Sequence, residues 1–127
     1  MKNMVVSMIL LLATSVAFAQ SNTMTVCTLK GNKSVNEIRI DGGTLTMTVD
    51  GNPMPSNVES DTALNLQAVS KIVGEQAAEA HQYVIAAPQG TGNPQNRDTI
   101  QLVTGVSGAA YMILPNVGLV ASSQACQ

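Results

Sequence analysis

Aromatic side chains are nearly absent from this chain. Among its 127 residues there are two tyrosines, one phenylalanine and no tryptophan. Proteins that bind single-stranded nucleic acids without sequence preference stack bases on aromatic rings, so this class of function is excluded. Aromatic side chains also dominate the energetics of most cores. The core of this protein must therefore be built from aliphatic and methionine side chains, which makes it thin for its length.

Positive charge is scarce as well. The chain has six lysines and arginines against eight aspartates and glutamates, for a formal net charge of −2, and the basic residues are scattered. A nucleic-acid-binding domain carries its basic residues in a clustered patch, and an anionic membrane surface attracts polybasic segments. The composition thus predicts no nucleic-acid partner and no stable membrane anchoring.

Signatures of catalysis and cofactor binding are missing. His81 is the only histidine, and neither His-x-x-x-His nor Cys-x-x-Cys spacing occurs, so we expect no metal site. The residues around Ser107 lack the final glycine of a nucleophile elbow. Residues 90–95 begin like a dinucleotide fingerprint but end in glutamine. The sequence therefore predicts no catalytic residues and no cofactor.

The first nineteen residues have the three-part pattern of a secretory signal peptide. Lys2 provides the positive start, residues 4–16 form an almost unbroken apolar run, and the small residues Ala17 and Ala19 stand where signal peptidase reads. The apolar run is shorter than the roughly 20 residues of a membrane-spanning helix. We therefore expect cleavage before Gln20, a single mature domain over residues 20–127, and a periplasmic or secreted location.

Two cysteines stand near the two ends of the predicted mature domain, Cys27 and Cys126. An even cysteine count in an exported protein predicts a disulfide. A redox-active pair is disfavoured, because no basic residue flanks either thiol to lower its pKa. Free thiols and a bond to a partner chain stay open as alternatives. We expect an intrachain disulfide that encloses nearly the whole domain.

The mature sequence is dominated by strand patterns. Residues 44–49 alternate most clearly, with Leu45, Met47 and Val49 on one face and threonines on the other. Asp-Gly steps follow two of the early runs and indicate tight hairpin turns. The pattern predicts eight short strands, at residues 25–29, 35–40, 44–49, 62–69, 82–87, 99–104, 111–114 and 117–121. The predicted fold is mainly β, a small antiparallel barrel or sandwich of about six to eight strands.

The middle of the chain supports two interpretations. A helix capped by Asp61 or Thr62 would place apolar residues at helical spacing, but Gly74 interrupts it and residues 62–69 also alternate as a strand would. We favour a strand over residues 62–69. Residues 70–81 stay open between one short helix and an irregular hairpin.

Two segments are candidate recognition loops. Residues 88–98 form the one long polar connection and include Arg97, and residues 106–111 include Ser107 and Tyr111. Loops often carry binding function, and arginine and tyrosine are enriched at binding hot spots. The apolar neighbours of Tyr111 favour a place in the core for it. The candidate binding residues are Arg97, Ser107 and Tyr111.

The segment from Ser107 to Tyr111 reads Ser-Gly-x-x-Tyr, late in a small β domain with end-to-end cysteines. It resembles the corresponding segment of periplasmic C-type lysozyme inhibitors, which are small barrels whose serine-bearing loop enters the lysozyme cleft. The resemblance implies a contact role for Ser107. The family's Trp-rich hairpin, with its second contacting lysine, has no counterpart in residues 114–121.

These observations predict a non-catalytic binding or inhibitor-like protein with a protein partner outside the cytosol. A structural or envelope-associated protein without a specific ligand is the alternative. A hydrolase that uses scattered carboxylates is the third possibility, because acidic residues are present but none stands out as an acid–base pair.

Overall fold

The computed structural model describes residues 21–31, 34–87 and 97–127. The predicted signal peptide, residues 1–19, lies outside the described residues, and so do residues 88–96 of the predicted polar loop. Among the described helices, none has the length and apolar character needed to cross a membrane.

Eight antiparallel strands form one closed barrel in which each strand pairs with the next and β8 pairs with β1. The prediction of a mainly β fold is confirmed, and closure decides between the barrel and the sandwich in favour of the barrel. The strands are β1 (Ser21–Thr28), β2 (Val35–Asp41), β3 (Thr44–Val49), β4 (Asn52–Ala63), β5 (Ala77–Ala86), β6 (Arg97–Gly105), β7 (Ala110–Leu114) and β8 (Gly118–Ser122).

The interior of the barrel is filled by alternate residues of the strands. The alternation predicted for β3 is present, since Leu45 is fully buried and Met47 packs against the same cluster. Tyr83 is the one aromatic ring in this interior cluster. The buried members are Val26, Ile38, Leu45, Tyr83, Ile100, Leu102, Ala110, Met112 and Ala121.

The strand β4 was missed by the sequence pattern because its first half contains Pro53 and Pro55. Proline cannot donate a ladder hydrogen bond. The Val58 N–H donates to the Gly43 carbonyl on the β3 side, 2.8 Å away, so even-numbered residues here point their N–H groups at β3 and odd-numbered residues point away. In the described ladder, pairing with β5 begins only at Asn57. Both prolines therefore face a side of β4 where no N–H is needed.

The prediction of a strand over residues 62–69 is wrong. Strand β4 ends at Ala63, and Leu66–Val73 forms the short helix α1. The Asn65 side chain caps it by accepting the Ala68 N–H at 3.0 Å, and Gly74 ends it in the left-handed region at φ 87°. The short helix that the sequence left open near residues 70–81 thus begins several residues earlier. These caps outweigh the strand-like alternation of residues 62–69. Residues 77–81 belong to β5.

Helix α1 packs on the outer face of the barrel. Its buried residues, Val69 and Val73, contact a second cluster that contains Val103, Tyr111 and Ile113 from β6 and β7. This explains the unbroken burial of β7, whose residues alternate between the barrel interior and the surface under α1. The two-sided burial makes Tyr111 part of the core.

The disulfide joins Cys27 of β1 to Cys126 of a C-terminal 3-10 helix, Ser123–Cys126. The bond spans 99 residues of sequence, as expected from the positions of the cysteines. It lies beside the closure of the barrel, where the β1–β8 ladder consists of Cys27 with Ser122 and Thr28 with Ala121, extended by a hydrogen bond from the Leu29 N–H to the Val120 carbonyl. The covalent link therefore reinforces the shortest ladder of the described barrel.

Candidate functional site

The connections of an up-and-down barrel alternate between its two ends. The β2–β3 turn, the α1 connection and the β6–β7 turn lie at one end, together with the start of β1. We call this the helix end. The β3–β4 and β7–β8 turns and the start of β6 lie at the opposite end. This separation decides which predicted site residues can act together.

A carboxylate fixes the β6–β7 turn, residues 106–109, which we call the anchored turn. Glu75, just after α1, accepts the Ser107 N–H at 3.1 Å through Oε1 and the Ser107 hydroxyl at 2.7 Å through Oε2. The Tyr111 hydroxyl also donates to Oε2. The Val106 N–H donates to the Gln76 carbonyl at 2.9 Å. Side chain and backbone of the turn are thus both tied to the segment after α1.

The close approach of Glu75 depends on Gly105. A β-carbon built at Gly105 would lie only 2.3 Å from the Glu75 Cδ atom. Any larger residue at this position would displace the carboxylate from the anchored turn. The glycine is therefore required by the tertiary contact, and its φ is outside the left-handed region.

The titration behaviour of this cluster favours a structural anchor over catalysis. Hydrogen bonds from Tyr111 and then from Ser107 lower the pKa of Glu75. The hydrogen bond to Glu75 is also the main reason that the pKa of Tyr111 is raised to about 12. A carboxylate whose charged form is already stabilised is a weak general base. The Ser107 hydroxyl is held in place by the Glu75 carboxylate.

Of the three predicted binding residues, the structure brings Ser107 and Tyr111 together and places Arg97 apart. Ser107 is exposed at the helix end, and Tyr111 is buried beneath α1 with its hydroxyl on the same carboxylate. Arg97 begins β6 at the opposite end, where it pairs with Glu59. Sequence reasoning did not identify Glu75, which lies 32 residues from Ser107. No local pattern signals a contact at that separation.

A second polar cluster lies at the mouth of the barrel at the helix end. The His81 ring contacts two carboxylates, with Nδ1 2.7 Å from Asp61 Oδ1 and Nε2 3.1 Å from Glu79 Oε2. The ring also stacks on Tyr83, with centroids 5.9 Å apart. His81 lies on β5, hydrogen-bonded and partly exposed.

The charge of His81 follows from these contacts. Partial burial lowers its pKa, but the hydrogen bonds that the ring donates to Asp61 and then Glu79 outweigh burial, so that the net shift of the pKa is upward. Both ring nitrogens face carboxylate oxygens, which is the arrangement that an imidazolium satisfies. Within the part of the chain that the structure describes, no group of three or more histidine, cysteine or acidic residues is arranged to hold a metal ion.

Comparison with known proteins found no match to a protein-family model, a curated protein or a solved structure.

Proposed function

We propose that this protein is a small, exported, non-catalytic binding protein of inhibitor-like type, which holds a protein partner through the anchored turn at the helix end of the barrel. The observation that carries the proposal is the triple hydrogen bond from the turn and Tyr111 to Glu75. It fixes an exposed surface turn before any partner arrives.

Preorganisation is what makes such a turn suitable for binding. Ordering an exposed side chain at an interface costs about 0.5–1.5 kcal/mol, and a segment already fixed in its bound shape avoids part of that cost. The Val106 side chain stands at the tip and is 61% exposed, although it is apolar. An apolar tip on a rigid polar turn offers a partner both a contact and a defined backbone. The resemblance of residues 107–111 to the lysozyme-inhibitor segment supports the same surface.

The first experiment should identify the partner and then test the surface. The disulfide-bonded protein is immobilised, proteins of the exported compartment are captured and identified, and the affinity of each is measured in purified form. A C-type lysozyme is the first purified partner to try, because of the resemblance. If no purified protein binds in a saturable manner, the binding proposal is wrong.

Val106→Asp is expected to weaken binding of that partner by at least about tenfold, because a charge would be buried in the interface without a counter-ion. Val117→Asp is the matched control. Val117 is also an exposed valine in a turn, 72% exposed, but it lies at the opposite end of the barrel. Isothermal titration with both variants measures the difference. Equal losses in the two variants, or loss in Val117→Asp alone, would place the interface elsewhere.

Gly105→Ala tests the role of preorganisation itself. The new methyl group would push the Glu75 carboxylate away and release the anchored turn, so we expect the affinity to fall by at least about threefold. The melting temperature should change little, since the displaced group is the end of a flexible side chain. Gly43→Ala is the control, because it meets no atom within 4 Å and has no positive φ. Unchanged affinity in Gly105→Ala would show that the anchor does not serve binding.

A further inference from the structure

The barrel interior opens at the helix end into a cavity of about 290 Å³. Its inner wall combines apolar side chains, Ile40 and Leu102, with the polar side chains of Glu79, His81 and Tyr83. Small-molecule sites are typically apolar pockets that hold a few convergent polar groups, with volumes that begin near this size. The cavity is distinct from the contacts between Glu75 and the anchored turn, although Gly108 borders both.

Tyr83 brings an unused polar group to the cavity. Its side chain belongs to the core and is only 5% exposed. Within the described residues its hydroxyl has no hydrogen-bond partner, whereas the hydroxyl of Tyr111 has one. No buried side-chain nitrogen or oxygen of the described residues lacks a partner, so this hydroxyl is reached by solvent through the cavity. A tyrosine presents an apolar ring and a polar end, and here the polar end is available to a ligand that enters the cavity.

The opposite wall of the cavity is an unpaired strand edge. The Leu29 N–H donates to the Val120 carbonyl at 3.0 Å, so odd-numbered residues of β1 point their backbone groups toward β8. Pairing with β8 ends at Cys27, and no other described strand pairs with β1 on that side. Thr23 and Thr25 line the cavity, and each directs both its backbone carbonyl and its backbone N–H toward this edge.

The charged side chains in and beside the cavity carry a net negative charge. Asp61 faces His81 from β4, and Glu79 and Tyr83 face it from β5 itself. The lining residues from the other elements have no titratable side chain: Thr23, Met24 and Thr25 of β1, Ile40 of β2, Leu102 and Thr104 of β6, and Gly108, Ala110 and Ser123. Two carboxylates thus oppose one imidazolium. Burial first, and then Asp61 and Glu79, raise the pKa of Tyr83 to about 12.

We propose that this cavity binds a small organic cation, a guanidinium or alkylammonium group carried on a short apolar stem. The Glu79 carboxylate, the Tyr83 hydroxyl and the carbonyls of the β1 edge are the acceptors that such a cation requires. Ile40 and Leu102 provide the apolar surface for the stem. The cation comes either from a free small molecule or from a basic side chain of a partner. The site does not depend on the anchored turn being an interface.

The proton of His81 competes with the cation for the same carboxylates. While the imidazolium is charged, it offsets one of the two negative charges of Asp61 and Glu79. As the pH rises through the pKa of His81, which these hydrogen bonds raise above its ordinary value, the ring loses one proton and its positive charge. The neutral ring keeps one N–H, so one carboxylate loses its hydrogen bond from the ring and both lose the compensating charge. The affinity for a cation should therefore rise with pH across that pKa. A guanidinium probe stays charged throughout.

The test is a titration of the disulfide-bonded protein with n-butylguanidinium at pH 8.5. Binding is measured from the amide chemical shifts in NMR spectra. We expect saturable shifts at Thr25, Tyr83 and Leu102, and binding of n-butanol, the neutral analogue, at least about tenfold weaker. Tyr83→Phe should weaken cation binding at least about threefold and leave the melting temperature unchanged or higher, because the lost hydroxyl has no partner in the fold. Equal binding of n-butanol would overturn the proposal.

Two further variants separate specific binding from general charge attraction. Glu79→Gln should weaken binding at least about fivefold, whereas Glu37→Gln, on an exposed position of β2, should leave it unchanged. His81→Gln should abolish the pH dependence. If the blocked peptide acetyl-Gly-Arg-Gly-amide binds more tightly than n-butylguanidinium, the cation belongs to a side chain of a partner protein. If the peptide binds more weakly, the cation is a free small molecule. Equal losses in Glu79→Gln and Glu37→Gln would overturn the proposal.

Discussion

Replacing Cys126 by serine is expected to lower the free energy of unfolding by about 2–5 kcal/mol, the usual cost of losing a native disulfide in a small domain. The bond to Cys27 spans 99 residues, so it restricts nearly the whole unfolded chain. In the chain-entropy model a loop of about 100 residues corresponds to about 4.7 kcal/mol. The folded state adds a second reason, because the β1–β8 ladder beside the bond is short, with two residue pairs and one further backbone hydrogen bond.

Urea unfolding of the wild type and of Cys126→Ser, each with and without a reductant, measures this effect. The reductant should lower the midpoint of the wild type to that of the variant and leave the variant unchanged. The double variant Cys27→Ser/Cys126→Ser should lose about as much as either single variant, because all three lack the same bond. A wild-type midpoint that does not respond to full reduction would mean that the disulfide contributes little to stability.

Ile113→Ala is expected to cost about 2–5 kcal/mol, the range for truncating a fully buried isoleucine. The Ile113 side chain is 1% exposed and lies in the outer cluster between the barrel and α1. Removing three carbons leaves a cavity that the helix and the sheet can fill only in part. The large expected effect follows from the position of α1, because without that helix the outer face of β7 would be open to solvent.

Ile72→Ala is the matched control for this prediction. Ile72 belongs to α1 itself but is 46% exposed. The same truncation there should change stability by less than about 1 kcal/mol, and alanine favours the helix. Thermal or urea unfolding of both variants tests the placement of α1. Similar losses in the two variants would contradict the packing of the helix on β6 and β7.

Local sequence patterns predicted most of the barrel, and the failures have specific physical causes. The alternation of residues 44–49 and the turn residues that follow it identified β3 and the hairpin after it. The first half of β4 was missed because prolines oppose strand pairing in general, although Pro53 and Pro55 face the side that requires no N–H. The sequence prediction misplaced helix α1 because the apolar residues of this segment fit the period of a strand as well as that of a helix. The caps at Asn65 and Gly74 favour the helix.

The candidate sites, like the fold, were predicted from the sequence only in part. Sequence alone selected Ser107 and Tyr111, but the carboxylate that joins them comes from Glu75, and the partner of His81 on β4 is Asp61, 20 residues away. Arg97 fits the composition of a binding loop, yet the topology places it at the other end of the barrel. Contacts between distant residues depend on strand register and on helix placement, and neither leaves a periodic signal in the chain.

The amino-acid sequence by itself determined the β character of this protein and the scarcity of aromatic side chains in its core, because these depend on composition and on local alternation. It also predicted the disulfide, which the structure shows as a bond within the chain. The tertiary structure alone decided that the sheet closes, that α1 covers β6 and β7, and that the polar groups of the helix end form two separate clusters. The physical reason is that closure and side-chain convergence are set by the register of all eight strands together, and no single segment contains that information.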